Sequence, residues 1–298
     1  MNTPPPSPAR ELLRIVHPWA LLACILTYSL GVGIAKYLGI AIRWEVYLAG
    51  QAAMLTLLLS SFFLREFFDR SPLTDPARKP GDPPRLTRLN LLQISATTLT
   101  IGAVLTVLLL AGRALTPSGF FVLGLSFFLT LADAVPPLRL ARSGYGELVM
   151  AFFLANLTPV LAFLLQAGEL HRLLALITFP LTFLTLASLL ALRLPAYAAD
   201  LREERRNMLT RLGWQRGMNL HNLLILGGYF LLGSAALAGL PWPLTWPGLL
   251  GLPIGLFQIF LITSIGNGAR PRWKLLTVVA ASTLALTIYF LNLALWSG

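Results

Sequence analysis

Apolar runs of bilayer-spanning length recur nine times along this chain, at 18–41, 45–64, 89–112, 117–135, 145–167, 173–194, 218–239, 244–266 and 275–296. Each reaches the roughly 20 residues that carry a helix across the hydrocarbon layer. Backbone amides there have no water to bond, so such a run must satisfy its own hydrogen bonds as a helix. The runs therefore predict an all-α polytopic membrane protein with nine transmembrane helices. Composition agrees: 56% of the 298 residues are hydrophobic and 12% are charged, against about 25% charged in a soluble domain. No substantial soluble domain can be cut from the chain. It reads as one domain over 1–298, with 1–17 a short cytoplasmic N-terminal segment.

The net charge of +11 would suggest nucleic acid in a soluble protein. Here the basic residues sit between apolar runs, so the expectation is a membrane partner and no nucleic acid. With the N-terminus cytoplasmic, the outer segments hold only Lys36, Arg43, Arg113 and Arg172 among 23 lysines and arginines. That bias fixes the orientation by the positive-inside rule. It predicts an integral cytoplasmic (plasma) membrane protein whose N-terminus and active face are both cytoplasmic. No cleavable signal peptide is evident ahead of the first run. Cys24 is the single cysteine, so no disulfide framework exists within the chain.

Two cytoplasmic loops, 65–88 and 195–217, are long and densely charged. They hold seven of the twelve acids: Glu66, Asp69, Asp75 and Asp82 in the first, and Asp200, Glu203 and Glu204 in the second. Glu66 and Asp69 are spaced i, i+3 and share one helix face at the end of the second run. Asp200 stands in the same position after the sixth. Facing acids at a membrane surface can hold Mg²⁺ together with a phosphate ligand, and nearby arginines can hold the rest of a diphosphate. The plainer reading of the same charges is a pair of solvated loops that anchor helix ends.

Val135-Pro136-Pro137-Leu138-Arg139-Leu140, followed by Gly144-Tyr145-Gly146-Glu147-Leu148, resembles a stretch of 1,4-dihydroxy-2-naphthoate polyprenyltransferases, members of the UbiA superfamily of intramembrane prenyltransferases. Leu194-Pro195-Ala196-Tyr197-Ala198-Ala199-Asp200 is similar to the family's FPDYEAD. Arg205-Arg206-Asn207-Met208 and Arg211-Leu212-Gly213 are similar to its KRNL and RLG. Arg65-Glu66-Phe67-Phe68-Asp69-Arg70 resembles its NDYFDR. The likeness covers nearly the whole chain. It implies helices around a central cavity, with acid motifs after helices two and six facing each other across it. It further implies Mg²⁺, an isoprenyl diphosphate donor, and a hydrophobic or aromatic acceptor of quinone-type biosynthesis. Glu66, Asp69 and Asp200 would then be the catalytic, Mg²⁺-holding acids. Arg65, Arg139, Arg142, Arg205 and Arg206 are the candidates for the diphosphate. Tyr197 and Asn207 would shape the site.

The acid motifs depart from the family pattern. N-D-x-x-D-x-x-x-D becomes Arg65, Glu66, Asp69, Leu73, and D-x-x-x-D becomes Ala196, Asp200. Three readings stay open: an active but divergent prenyltransferase, a relative that binds isoprenoid diphosphate lipids without turnover, and a transporter. A transporter needs polar groups through the bilayer midplane, where this chain has almost no charge. Asp133 and Glu147 lie near membrane depth, either functional or paired with Arg139 or Arg142. His17 reads as interfacial, and His17, His171 and His221 show no ligand spacing. Trp19, Trp242, Trp246, Trp273 and Trp296 read as interfacial anchors. Gly251 and Gly255 read as a close-packing pair, and Asn156 with Pro159 as a kink.

Overall fold

The computed structural model describes residues 8–70 and 86–298. The expectations for Asp75 and Asp82 lie outside them. Every element among the described residues is helical. The chain opens on α1 (Pro8–Val16) and α2 (Pro18–Tyr37), then α3 (Trp44–Asp69), α4 (Arg88–Ala111), α5 (Pro117–Ala134) and the short α6 (Leu140–Ser143). α7 (Gly146–Phe152) runs through a π turn, Phe153–Leu157, into α8 (Thr158–Ala167). α9 (Arg172–Arg193) runs through a 3₁₀ turn, Leu194–Ala196, into α10 (Tyr197–Arg202). α11 (Met208–Leu212), α12 (Trp214–Ser234), α13 (Trp242–Leu249), α14 (Leu252–Gly266) and α15 (Trp273–Ser297) complete it.

Among the described residues, eight helical segments are long and apolar enough to cross a membrane. The segment expected at 218–239 is the exception. It forms the 21-residue α12, which is long enough but begins with Gln215, Arg216, Asn219, His221 and Asn222. Those polar groups lower its apolarity below that of the other eight. Gln215, Arg216 and Asn219 are exposed, while His221 is buried inside the bundle: its Nε2 lies 2.8 Å from Gln258 Nε2, and Thr283 Oγ1 donates to Gln258 Oε1 at 2.8 Å. Buried polar side chains with partners of this kind are tolerated because none is left unsatisfied.

The core lies where α2, α3, α8 and α9 meet, with Tyr28, Leu30, Met54, Leu161, Phe163 and Ile177 buried. α4 flanks α3, and α15 packs on α2 and α9. Outward faces carry Val107, Phe121, Phe230 and Leu237 exposed, as a hydrocarbon solvent allows. Small residues set the close crossings. A Cβ on Gly31 of α2 would meet the Pro159 carbonyl oxygen of α8 at 2.1 Å. Gly31→Ala gains about 1 kcal/mol of helix propensity but must separate two backbones. Overpacking of this kind costs about 1–3 kcal/mol. The expected outcome is a net loss of stability in detergent melts, and a melting point at or above wild type would contradict this packing. Gly251 and Gly255 face Tyr229 and α15 within the same chain, so this glycine pair serves internal packing. Asn156 donates to Thr182 Oγ1 at 2.6 Å, tying the π turn to α9.

Candidate functional site

A cavity of about 120 Å³ opens where α2 begins and α3, α7 and α9 meet. Its apolar wall includes Trp19, Phe62, Met150, Leu189 and Leu192. Its polar lining is His17, Arg65, Glu147 and Arg193. Trp19, expected as a membrane-surface anchor, and His17, expected at the interface, are therefore cavity residues. Among the residues singled out as catalytic, substrate-binding or metal-holding, only Arg65 lines it.

Arg65 is fixed from behind. Its Nε and Nη2 both meet Asp133 Oδ2, which also accepts from Ser61 Oγ at 3.3 Å. Asp133 is only 2% exposed. The pair uses one side of the guanidinium, Nε and Nη2, and leaves Nη1 outside it. Arg193 is held in the same manner. Its Nε lies 3.4 Å from Glu147 Oε1, while Glu147 Oε2 accepts from the Met208 amide at 3.1 Å. One of the two readings of Asp133 and Glu147 paired them with Arg139 or Arg142, the nearest basic residues in sequence. The structure replaces them with Arg65 and Arg193, because both acids turn inward from their helices while Arg139 and Arg142 reach the rim.

At the rim, Asp69 stands one turn beyond Arg65 on the same stripe of α3. Its Oδ1 accepts from Arg139 Nη2 and Arg142 Nε, each at 2.7 Å. Arg139 also donates to the Phe68 carbonyl. Glu66 turns to α1 instead. Arg70 bridges Glu66 at 2.9 Å and Glu11 at 2.7 Å, and Glu11 also accepts from the Leu86 amide. Asp200 is buried on α10, and its Oδ2 accepts from Asn207 Nδ2 at 2.7 Å. Asn207 also caps α11 in a reciprocal bond with Thr210. The Asn207-Met208 stretch thus holds both Asp200 and Glu147. Tyr197 lies against Trp214, its ring centroid 5.2 Å away. Arg205 pairs with Glu203 at 2.7 Å, and Arg206 has no ion pair among the described residues. Neither Arg205 nor Arg206 lines the cavity. Also among the described residues, no three His, Cys, Asp or Glu side chains are gathered so as to hold a metal ion.

His17 completes the cavity under strain. It precedes Pro18 yet sits at φ 47°, a left-handed conformation that costs a non-glycine residue about 1 kcal/mol or more. Its ring meets Phe62 edge to face at 5.3 Å. Withdrawal from water pushes its pKa down to about 4, and Arg193, Arg65 and Arg14 push the same way. The imidazole is therefore neutral at pH 7. As pH falls below about 6.5, the unfolded chain takes up this proton while the folded chain resists until about 4. Stability should fall across that window. His17→Gln should flatten the fall of the melting point between pH 6.5 and 4, and an unchanged slope would contradict this environment.

Neither a protein-family model nor a curated protein sequence matches the chain. Solved structures do. A UbiA homologue from Archaeoglobus fulgidus bound to GPP and Mg²⁺ superposes with a TM-score of 0.69 at 17% identity, over 97% of this chain and 100% of that one. The same homologue bound to DMAPP and Mg²⁺ gives 0.62 at 18% identity, over 94% and 98%. A digeranylgeranylglyceryl phosphate synthase gives 0.62 at 11% identity, over 97% and 98%. At these identities the likeness shows the fold: the helices follow the UbiA arrangement along nearly their full length.

Proposed function

We propose that this chain is an intramembrane prenyltransferase of the UbiA kind. It moves a polyprenyl group from an isoprenyl diphosphate to an acceptor, an aromatic one of quinone-type biosynthesis. In this reading α12 completes nine crossings of the cytoplasmic membrane, with N-terminus and active face cytoplasmic as the basic loops require. The observation that carries it is the cavity lining: the guanidinium groups of Arg65 and Arg193 share one small cavity with the apolar Trp19, Phe62, Met150, Leu189 and Leu192. That mixture suits a ligand with an anionic head and a hydrocarbon tail.

The residues fit Mg²⁺ that arrives with a diphosphate. Such an ion needs only one or two protein carboxylates, the rest of its shell being water and phosphate oxygen. Among the described residues, Asp69 is bonded through Oδ1 alone and Asp200 through Oδ2 alone, so each keeps a second oxygen. Glu66 is the remaining candidate ligand and would have to turn from Arg70. When bound, Mg²⁺ would offset the negative charge that builds on the leaving diphosphate. The chain's own part is to hold that diphosphate through Arg139 and Arg142 at the rim, with Tyr197, Arg205, Arg206 and Asn207 shaping the approach. The allylic C–O bond breaks with its electron pair going to the diphosphate. Phe62, Met150, Leu189 and Leu192 keep water from the resulting cation. The acceptor's π electrons form the new C–C bond, and the departing diphosphate takes the displaced proton.

One observation favours a second reading, a catalytically degenerate relative that binds isoprenoid diphosphate lipids without turnover: Asp69 is already neutralised by two arginines. Purified protein given geranylgeranyl diphosphate, Mg²⁺ and a panel of aromatic and lipid acceptors decides between them. A prenylated product identified by mass supports transfer. Saturable donor binding with no product from any acceptor supports the binder.

A further inference from the structure

We infer that Arg65 and Arg193 form a metal-independent phosphate cradle in the floor of the cavity, and that buried Asp133 and Glu147 are the positioning residues that aim it. The inference rests on the proposed function for its ligand, a diphosphate head group, and goes beyond it in assigning residues outside the acid motifs.

Arg65 and Arg193 both line one small cavity, and each guanidinium is held by a carboxylate, Arg65 through Nε and Nη2 and Arg193 through Nε. Asp133 and Glu147 are 2% and 4% exposed. Glu147 spends one oxygen on Arg193 and the other on the Met208 amide, so it offers a cavity ligand no free acceptor. A ligand there therefore meets N–H donors rather than a free carboxylate oxygen. Burial first, and then Arg193, Arg65 and Arg14, hold the proton affinity of His17 down. A neutral imidazole there can also donate one hydrogen bond to phosphate. Stability alone does not account for the buried pairs. Asp133 Oδ1 has no hydrogen-bond partner among the described residues, and an apolar pair at such a site is commonly as stable or more so. Guanidinium groups match phosphate oxygens in pairs. Two of them already oriented would hold a diphosphate head without a cation.

Inorganic pyrophosphate is the probe, titrated by calorimetry into purified protein in excess EDTA and again with Mg²⁺. Saturable binding in EDTA is expected. Arg193→Gln should weaken it by roughly tenfold or more, and Arg193 is 43% exposed, so that variant should fold. Arg65→Lys keeps a charge opposite Asp133, loses the planar fork and should also weaken binding. Glu147→Gln keeps the acceptor for the Met208 amide but releases Arg193. It should weaken pyrophosphate binding while leaving the melting point of the empty protein near wild type. Added Mg²⁺ should strengthen the binding without being required for it. No binding in EDTA, or equal binding by wild type and both arginine variants, would overturn the cradle. Failure of the prenyltransferase reading looks different: EDTA-resistant binding persists, and no acceptor is prenylated.

Discussion

Asp133→Asn should destabilise the protein by about 3 kcal/mol, the cost of stranding a buried guanidinium without its counter-charge. Arg65 is 17% exposed and Asp133 2%, and they meet across 68 residues of sequence. The amide keeps the volume and an acceptor for Ser61 but not the charge. Arg65→Met combined with Asp133→Val should recover most of that stability, because neither charge then needs solvation. The same double variant should lose pyrophosphate binding in EDTA. Thermal and denaturant unfolding in a fixed detergent reads the first two values. An Asp133→Asn variant within about 0.5 kcal/mol of wild type would mean that the ion pair does not form as described.

Asp69→Asn and Asp200→Asn should each lower Mg²⁺-dependent prenyl transfer by about 10²-fold or more, the usual scale for removing one group that stabilises developing charge. Stability should barely move. Asp69 is 39% exposed and its partner Arg142 46%, and an exposed pair contributes about 0–1 kcal/mol. Asp200→Asn keeps a carbonyl to accept from Asn207. Retained melting points with lost turnover would separate chemistry from folding, and undiminished turnover in both variants would remove the rim acids from the mechanism.

The helices were legible because hydrocarbon imposes a simple rule on the backbone, and 45–64 or 173–194 could satisfy it in only one way. The seventh run shows where that rule weakens. Asn219, His221 and Asn222 cost α12 its apolar signature, and only its neighbours on α14 and α15 show how they are accommodated. The rim was legible in part. Spacing located Asp69 and Asp200 at helix ends, and the structure brings Asp69 to Arg139 and Arg142. Spacing could not separate Glu66, three residues earlier and about a sixth of a turn round, which α1 engages through Arg70. The cavity floor was the least legible. Arg193 read as one more positive charge at the end of a run, and nothing in its spacing names Glu147, 46 residues earlier, as its partner. The signal was nonetheless present in Asp133 and Glu147, two acids at membrane depth that must find a charge or lose their own.

Release of pyrophosphate from geranylgeranyl diphosphate by the purified protein, with and without Mg²⁺ and in the presence of the acceptor panel, tests the central claim most directly. Mg²⁺- and acceptor-dependent release that disappears in Asp69→Asn is the predicted result. No release under any condition, from a protein that remains folded and binds the donor, would contradict it.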